Sequence, residues 1–235
     1  SNILFSDGGF DGVIIVLGSE FRRFSYADDR HLVAGGGVNL GRLVNDAFGR
    51  CLSGLEFGVG VPGTIGGAVF MNAGVGEVCA SRSVESVTVL RPGQGLVRYR
   101  ADDLPWYYRS AGIPDDEIIV EATFRTKAEE GASLHTRMEA MLRRRKENQP
   151  SGYSAGSIFR NPEGRSAGRL IEEAALKGHR IGGAQISPKH ANFIINVEDA
   201  TAGDVLALIN LAHDRVKEIH GIELQPEVRF FGFPE

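Results

Sequence analysis

Cysteine is nearly absent: the chain of 235 residues holds two, Cys51 and Cys79. They share no metal-ligand spacing and are too few for a disulfide framework, so inert thiols in a reducing compartment are expected. The histidines show no ligand spacing either, and no metal is expected. Long apolar runs are missing, none approaching the ~20 residues that a membrane span requires. No basic region followed by a hydrophobic stretch and a cleavage site opens the chain, so a cytoplasmic protein is expected. Positive charge is not in excess. A formal net charge of −4 gives no field for a nucleic-acid backbone. The one basic cluster, RRRK at 143–146, reads as a solvated helix face or as a phosphate contact.

Glycine, by contrast, is abundant, at 31 of 235 residues, where ~7% is usual. The glycines cluster at positions that could hug a ligand, unlike those of a flexible linker. Short β-rich runs at 11–18, 30–37, 83–91, 95–101 and 116–126 are bounded by turn residues. Helical spacing marks 38–50 and 132–148, the latter stopped by Asn148-Gln149-Pro150. Composition shifts at about 150. Beyond it, 166–177 reads as a helix capped by Ser166 and stopped by Gly178, and HANFIINVE as a strand. A long amphipathic helix runs from Thr201 to Gly221, and ELQPEVRFFG closes the chain as a strand. Mixed segments without regular βαβ alternation predict an α+β fold, and no repeat is apparent.

The most informative stretch is YSAGSIFRNP at 153–162. It sets the hydroxyl of Ser157 between a flexible Ala-Gly approach and an exit offering a cation, an amide and a stiff turn. Alone it could be only a connecting loop. VPGTIGGAVFMNAG at 61–74 lacks the side chains that would keep a backbone from a flat ring or a pyrophosphate, but does not match the dinucleotide fingerprint. Gly35-Gly36-Gly37 reads equally as a ligand contact and as a strand-to-helix turn. With YYRS at 107–110, KHANFIIN at 189–196 and PEVRFFG at 226–232, these segments resemble the UDP-N-acetylenolpyruvoylglucosamine reductase family over nearly the whole chain.

That resemblance implies a flavoenzyme of peptidoglycan synthesis, using FAD and NADPH to reduce UDP-N-acetylglucosamine enolpyruvate to UDP-N-acetylmuramate. It implies a two-part FAD-binding α/β domain at 1–149 and 221–235, with an inserted α+β substrate-binding domain at 150–220. Pro62, Gly63, Thr64, Ile65, Gly66 and Gly67 are expected along the cofactor, with Asn72, Ser1 and Asn2 close by. Ser157 is expected to donate a proton, while Arg109 and Glu227 stabilise charge beside the substrate carboxylate. Tyr108, Arg160, Asn161 and Arg229 are expected to bind substrate, Arg229 from the same strand face as Glu227. His190 is read as structural or substrate-adjacent.

The chain departs from the family in four ways. The helix ending at Gln149-Pro150 runs almost directly into the serine loop, as in the shorter subtype. Val75-Gly76 stands where many members carry a tyrosine, and Arg160 replaces a commoner lysine. In the family Ser1-Asn2 closes a glycine-rich pyrophosphate loop preceded by further βα structure, so a fragment with weakened flavin binding is expected. An alternative reading is a nucleotide-sugar binding module without redox activity. A flavin-dependent oxidase is a more distant one, since nothing resembles a covalent flavin attachment site.

Overall fold

The computed structural model describes residues 2–233. In chain order the elements are β1 (Ile3–Phe5), β2 (Phe24–Tyr26), β3 (His31–Gly35), α1 (Leu40–Gly49), β4 (Leu52–Ser53), α2 (Ile65–Phe70), β5 (Gly74–Val75), β6 (Val78–Cys79), β7 (Val84–Arg91) and β8 (Gly95–Arg100). There follow β9 (Ile118–Arg125), β10 (Lys127–Ala128), α3 (Gly131–Asn148), β11 (Tyr153–Ser157), α4 (Ala167–Glu173), β12 (Arg180–Ile181), β13 (Ala184–Ile186), β14 (Phe193–Asn196), α5 (Ala202–His220) and β15 (Arg229–Phe231). The class is α+β. Two compact units divide the chain: Ile14–Arg143, and the segment up to Val13 together with the segment from Arg144.

The Ile14–Arg143 unit is built on an antiparallel sheet in the order β2-β3-β9-β7-β8. Alternation sets its inner face: on β3, Leu32 and Ala34 are buried between His31, Val33 and Gly35. Helix α1 buries Leu40, Leu43, Val44, Ala47 and Phe48, the i, i+3, i+4, i+7, i+8 stripe of an amphipathic helix. These join Leu32, Ala34, Val87, Ala122 and Phe124 in one core; each large apolar side chain contributes about 1.5–3 kcal/mol by burial. The helix starts where Asn39 Oδ1 accepts the Arg42 N–H at 2.9 Å.

The run 11–18, expected as a strand, forms no regular element, and Val13 is 87% exposed. A β-rich composition makes a strand only when a neighbour takes its backbone groups, and no described strand pairs with this run.

The second unit holds the antiparallel sheet β11-β14-β13-β12. Leu170 and Ile171 of α4 and Leu208, Ile209, Ala212 and Val216 of α5 pack with Ala184, Ile186 and Ile194. Helix α5 begins at a capping box of Thr201 and Asp204 and ends at Gly221, whose φ of 66° is left-handed. Asp7 adds a second cap from far along the chain, accepting from Ala202 N at 2.8 Å and Gly203 N at 2.9 Å.

Helix α4 stops earlier than expected. Ala175 takes the left-handed turn at φ 60°; its N–H reaches Glu172 O, and Leu176 N–H reaches Ile171 O. That is a Schellman motif sealed by the buried Leu176–Ile171 pair. Gly178, the expected stop, serves the following turn instead, its N–H bonding Ile186 O at 2.9 Å.

The last strand is also shorter than expected. Residue Pro226 makes an isolated bridge with Phe159, and β15 begins only at Arg229. The compact units differ from the expected domain bounds. Their break follows Arg143, and 221–231 groups with the segment before it because β15 pairs in parallel with β1 and Leu224 and Val228 join the second core.

Candidate active site

In the Ile14–Arg143 unit, two glycine-rich turns lie against each other. Gly36 N–H bonds Val120 O at 2.7 Å, Gly66 N–H bonds Gly36 O at 2.8 Å, and Ile65 N–H bonds Val38 O at 2.9 Å. A Cβ on Gly36 would stand 2.1 Å from Ile119 O, and one on Gly66 3.1 Å from Gly36 O. These two glycines are therefore fixed by chain-on-chain packing. Ile65 is wholly buried and belongs to the core, not to an open contact surface.

The outward residues of this stretch are Pro62, Thr64 and Gly67. A Cβ on Gly67 would meet nothing closer than Thr64 Oγ1 at 3.8 Å. Packing does not require a glycine there, and the surface is free of side chain. Gly63, at φ 130°, makes the turn that brings its carbonyl to Leu40 N at 3.0 Å.

Asn72 is buried and left-handed, at φ 41°. Its Nδ2 donates to Tyr107 O and its Oδ1 accepts from Ser81 N, both at 3.0 Å. It ties two turns together, one of which carries Arg109. That arginine is itself left-handed, at φ 60°, a conformation that costs a non-glycine residue energy and clusters at functional sites. Its Nη1 donates to Gly74 O at 2.9 Å and its guanidinium stacks 5.0 Å from the half-exposed Tyr108 ring. A held guanidinium beside an exposed aromatic suits a planar anion.

In the second unit, Ser157 reaches its place through a bulge. Pairing runs Ser154↔Ile195 and then Ser157↔Phe193, so β11 carries one residue more than β14. The extra residue reverses which face Ser157 presents, as bulges beside active sites commonly do. Gly156 makes it possible at φ 80°, and a Cβ there would stand 3.1 Å from Asn2 Oδ1. Immediately afterwards Glu227 N–H bonds Ile158 O at 2.7 Å and Arg160 N–H bonds Gln225 O at 2.8 Å. The backbone of residue 227 is thus fastened one residue from Ser157.

Ser157, Arg160, Asn161, Glu227, Arg229 and Asn2 are brought into one unit, and Arg229 N–H bonds Asn2 O at 3.0 Å. Asn161 Oδ1 accepts from Ala167 N at 3.0 Å, capping α4, while Arg160 is exposed. Glu227 precedes β15, so strand alternation does not fix its face relative to Arg229. Asn2 Nδ2 is buried and has no hydrogen-bond partner among the described residues, the state of a donor awaiting a ligand oxygen. Such a donor suits an oxygen of a flavin nucleotide. Ser1, expected beside it, lies outside the described residues.

His190 accepts the Asn192 N–H on Nδ1 at 3.2 Å, which puts the proton of the neutral ring on Nε2. Burial pushes its pKa below the usual histidine value. An edge contact with Phe193 at 5.0 Å completes a structural setting. Sequence reasoning passed over Asn192 beside it; the available signal was an amide flanked by Ala191 and Phe193 in an otherwise apolar run. A cavity of about 520 Å³ is lined by Arg169, Lys189 and His190, and one of about 410 Å³ by Arg98 and Arg100 among others; neither is lined by Ser157, Glu227 or Arg109. No group of three or more metal-ligating side chains occurs among the described residues, nor any helix long and apolar enough to cross a membrane.

Comparison with known proteins gives the following. Residues 1–99 match the family described as FAD binding domain, and 147–231 match UDP-N-acetylenolpyruvoylglucosamine reductase, C-terminal domain. The UDP-N-acetylenolpyruvoylglucosamine reductase of Lactiplantibacillus plantarum is 42% identical over 99% of this chain and 77% of its own length. That of Heliobacterium modesticaldum is 44% identical over 99% of this chain and 74% of its own. The crystal structure of the Thermus caldophilus reductase superposes with a TM-score of 0.88 at 37% identity, covering 98% of this chain and 82% of that one.

Proposed function

Because the chain belongs to the UDP-N-acetylenolpyruvoylglucosamine reductase family, we propose how its own residues carry out that reduction. The protein is an FAD-dependent oxidoreductase of peptidoglycan synthesis, acting on UDP-N-acetylglucosamine enolpyruvate. In our reading the Gly67 strip would contact the cofactor, and Asn2 is proposed as a further cofactor residue. FAD bound there would supply the hydride for the terminal methylene of the enolpyruvyl group, with NADPH as its source.

Ser157 then delivers a proton to the carbon bearing the carboxylate, and the double bond becomes a single one. A hydroxyl is a poor acid in water and must be held against the developing carbanion. The bulge at Gly156 and the Glu227–Ile158 backbone bond supply that rigidity, and this fastening of residue 227 beside Ser157 is the observation that carries the reading. Arg109 and Glu227 steady the charge at the carboxylate. Arg160, Asn161, Arg229 and Tyr108 bind the nucleotide-sugar. The flavin-binding part is assigned to 1–149 with 221–235, and the substrate-binding part to 150–220. The same reading places the enzyme in the cytoplasm.

The test is direct. With FAD and NADPH, the enolpyruvyl nucleotide should be converted to UDP-N-acetylmuramate, and omission of FAD should abolish conversion. Binding of the nucleotide-sugar without turnover in the FAD-loaded protein would favour the binding-module reading instead.

A further inference from the structure

Strand pairing alone does not hold Ser157 in place. Beyond the bulge, β11 leaves the ladder, and the buried Ile158 and Phe159 present backbone groups that need partners. Asn192 supplies three of them. Its main-chain oxygen accepts from Ile158 N at 2.9 Å, its Oδ1 accepts from Phe159 N at 2.9 Å, and its Nδ2 donates to Phe159 O at 2.8 Å. The residue is only 3% exposed. One amide thus imitates a strand edge, on a segment whose Ile158 carbonyl is held by Glu227 N.

We propose that Asn192 is the positioning residue that fixes Ser157 and Glu227 relative to each other. This rests on the roles given above to those two residues. An apolar side chain of similar size would leave two buried backbone groups of Phe159 unpaired, and the segment would shift to find other partners. Displacement of a catalytic group by about 1 Å can cost on the order of 10²-fold in rate. The loss should fall on the step that uses Ser157 and spare the step that does not.

The experiment uses the FAD-loaded enzyme with Asn192→Ala, Asn192→Asp, Ser157→Ala and the Ser157→Ala/Asn192→Ala double variant. Flavin reduction by NADPH and flavin reoxidation by the enolpyruvyl substrate are followed separately. Hydrogen exchange is read at Ile158 and Phe159. Asn192→Ala should slow reoxidation about 10²-fold, leave reduction within about two-fold, and expose the Phe159 amide to exchange, while the Ile158 amide keeps its main-chain acceptor. Asn192→Asp, which keeps the acceptor for Phe159 N, should fall between. The double variant should be slowed by less than the product of the two single losses, because Asn192 acts in part through the Ser157 hydroxyl. Equal slowing of both half-reactions, a multiplicative double variant, or unchanged reoxidation in Asn192→Ala would overturn the proposal. If Ser157→Ala itself reoxidises normally, the role of Ser157 fails and that of Asn192 falls with it. If Asn192→Ala does not fold, Asn192→Asp carries the comparison; if neither folds, the residue is structural and the proposal is wrong.

Discussion

Replacing Gly67 by alanine separates a glycine kept for a ligand from one kept for the fold. Gly67 lies inside α2 on its exposed side, and an added methyl would meet nothing closer than 3.8 Å. Alanine is favoured over glycine in a helix interior by ~0.8–1 kcal/mol. No clash offsets that gain in the ligand-free chain. Unfolding should therefore cost about 0.5–1 kcal/mol more, a Tm rise of about 1–4 °C for a chain of this size. If FAD lies on this strip, the same methyl stands in its way, and affinity should fall at least ~10-fold, or ~1.4 kcal/mol. Gly36 is the contrast. Its Cβ would lie 2.1 Å from the Ile119 carbonyl oxygen, a backbone atom that cannot give way. Gly36→Ala should cost about 3 kcal/mol or more through overpacking. Thermal unfolding without ligand, and titration of FAD by fluorescence quenching, read both quantities. A destabilised Gly67→Ala chain, or one that binds FAD undiminished, would refute the assignment of this strip.

The half-buried His190 should make stability depend on pH. Its folded pKa lies below 6.5 through burial, so the unfolded chain binds more protons; the stability is present above about pH 6.5 and is lost as pH falls towards the folded value. His190→Gln should flatten unfolding free energy between about pH 7 and 5 relative to wild type, and an unchanged slope would contradict the half-buried neutral ring. Ala175→Gly should stabilise the end of α4. Relief of left-handed strain, ~1–2 kcal/mol, exceeds the entropy glycine returns to the unfolded chain, ~0.4–1 kcal/mol. A Tm rise of about 1–4 °C is expected, and a fall would show that Ala175 is not strained.

Periodic and capped elements were legible in the sequence. The stripe of α1 and the Thr201 and Gly221 signals of α5 stand where spacing put them, because local chemistry decides them, and β7 and β9 fall in runs read as β-rich. What depends on a distant partner was not legible. The apolar run at 11–18 has strand composition but no neighbour, and α4 ends at an alanine in a conformation usually left to glycine. In the site, Ser157 and Glu227 were named through family resemblance, yet the bulge that turns Ser157 needs the register of two strands to be known. Gly36, Gly66 and Gly67 look alike in sequence, and only packing separates the first two from the third. Asn192 escaped notice because its partners lie 33 residues away.

The central claim is that Ser157 supplies the proton after hydride has been delivered. Stopped-flow absorbance of the bound flavin in Ser157→Ala tests it most directly, with each half-reaction recorded alone. Reduction by NADPH should proceed near the wild-type rate, because the hydroxyl has no part in it. Reoxidation by the enolpyruvyl substrate should fall by ~10²–10⁴-fold, the usual loss of a positioned general acid. Equal slowing of the two halves would mean that Ser157 shapes the site without delivering the proton, and unimpaired reoxidation would remove it from the mechanism.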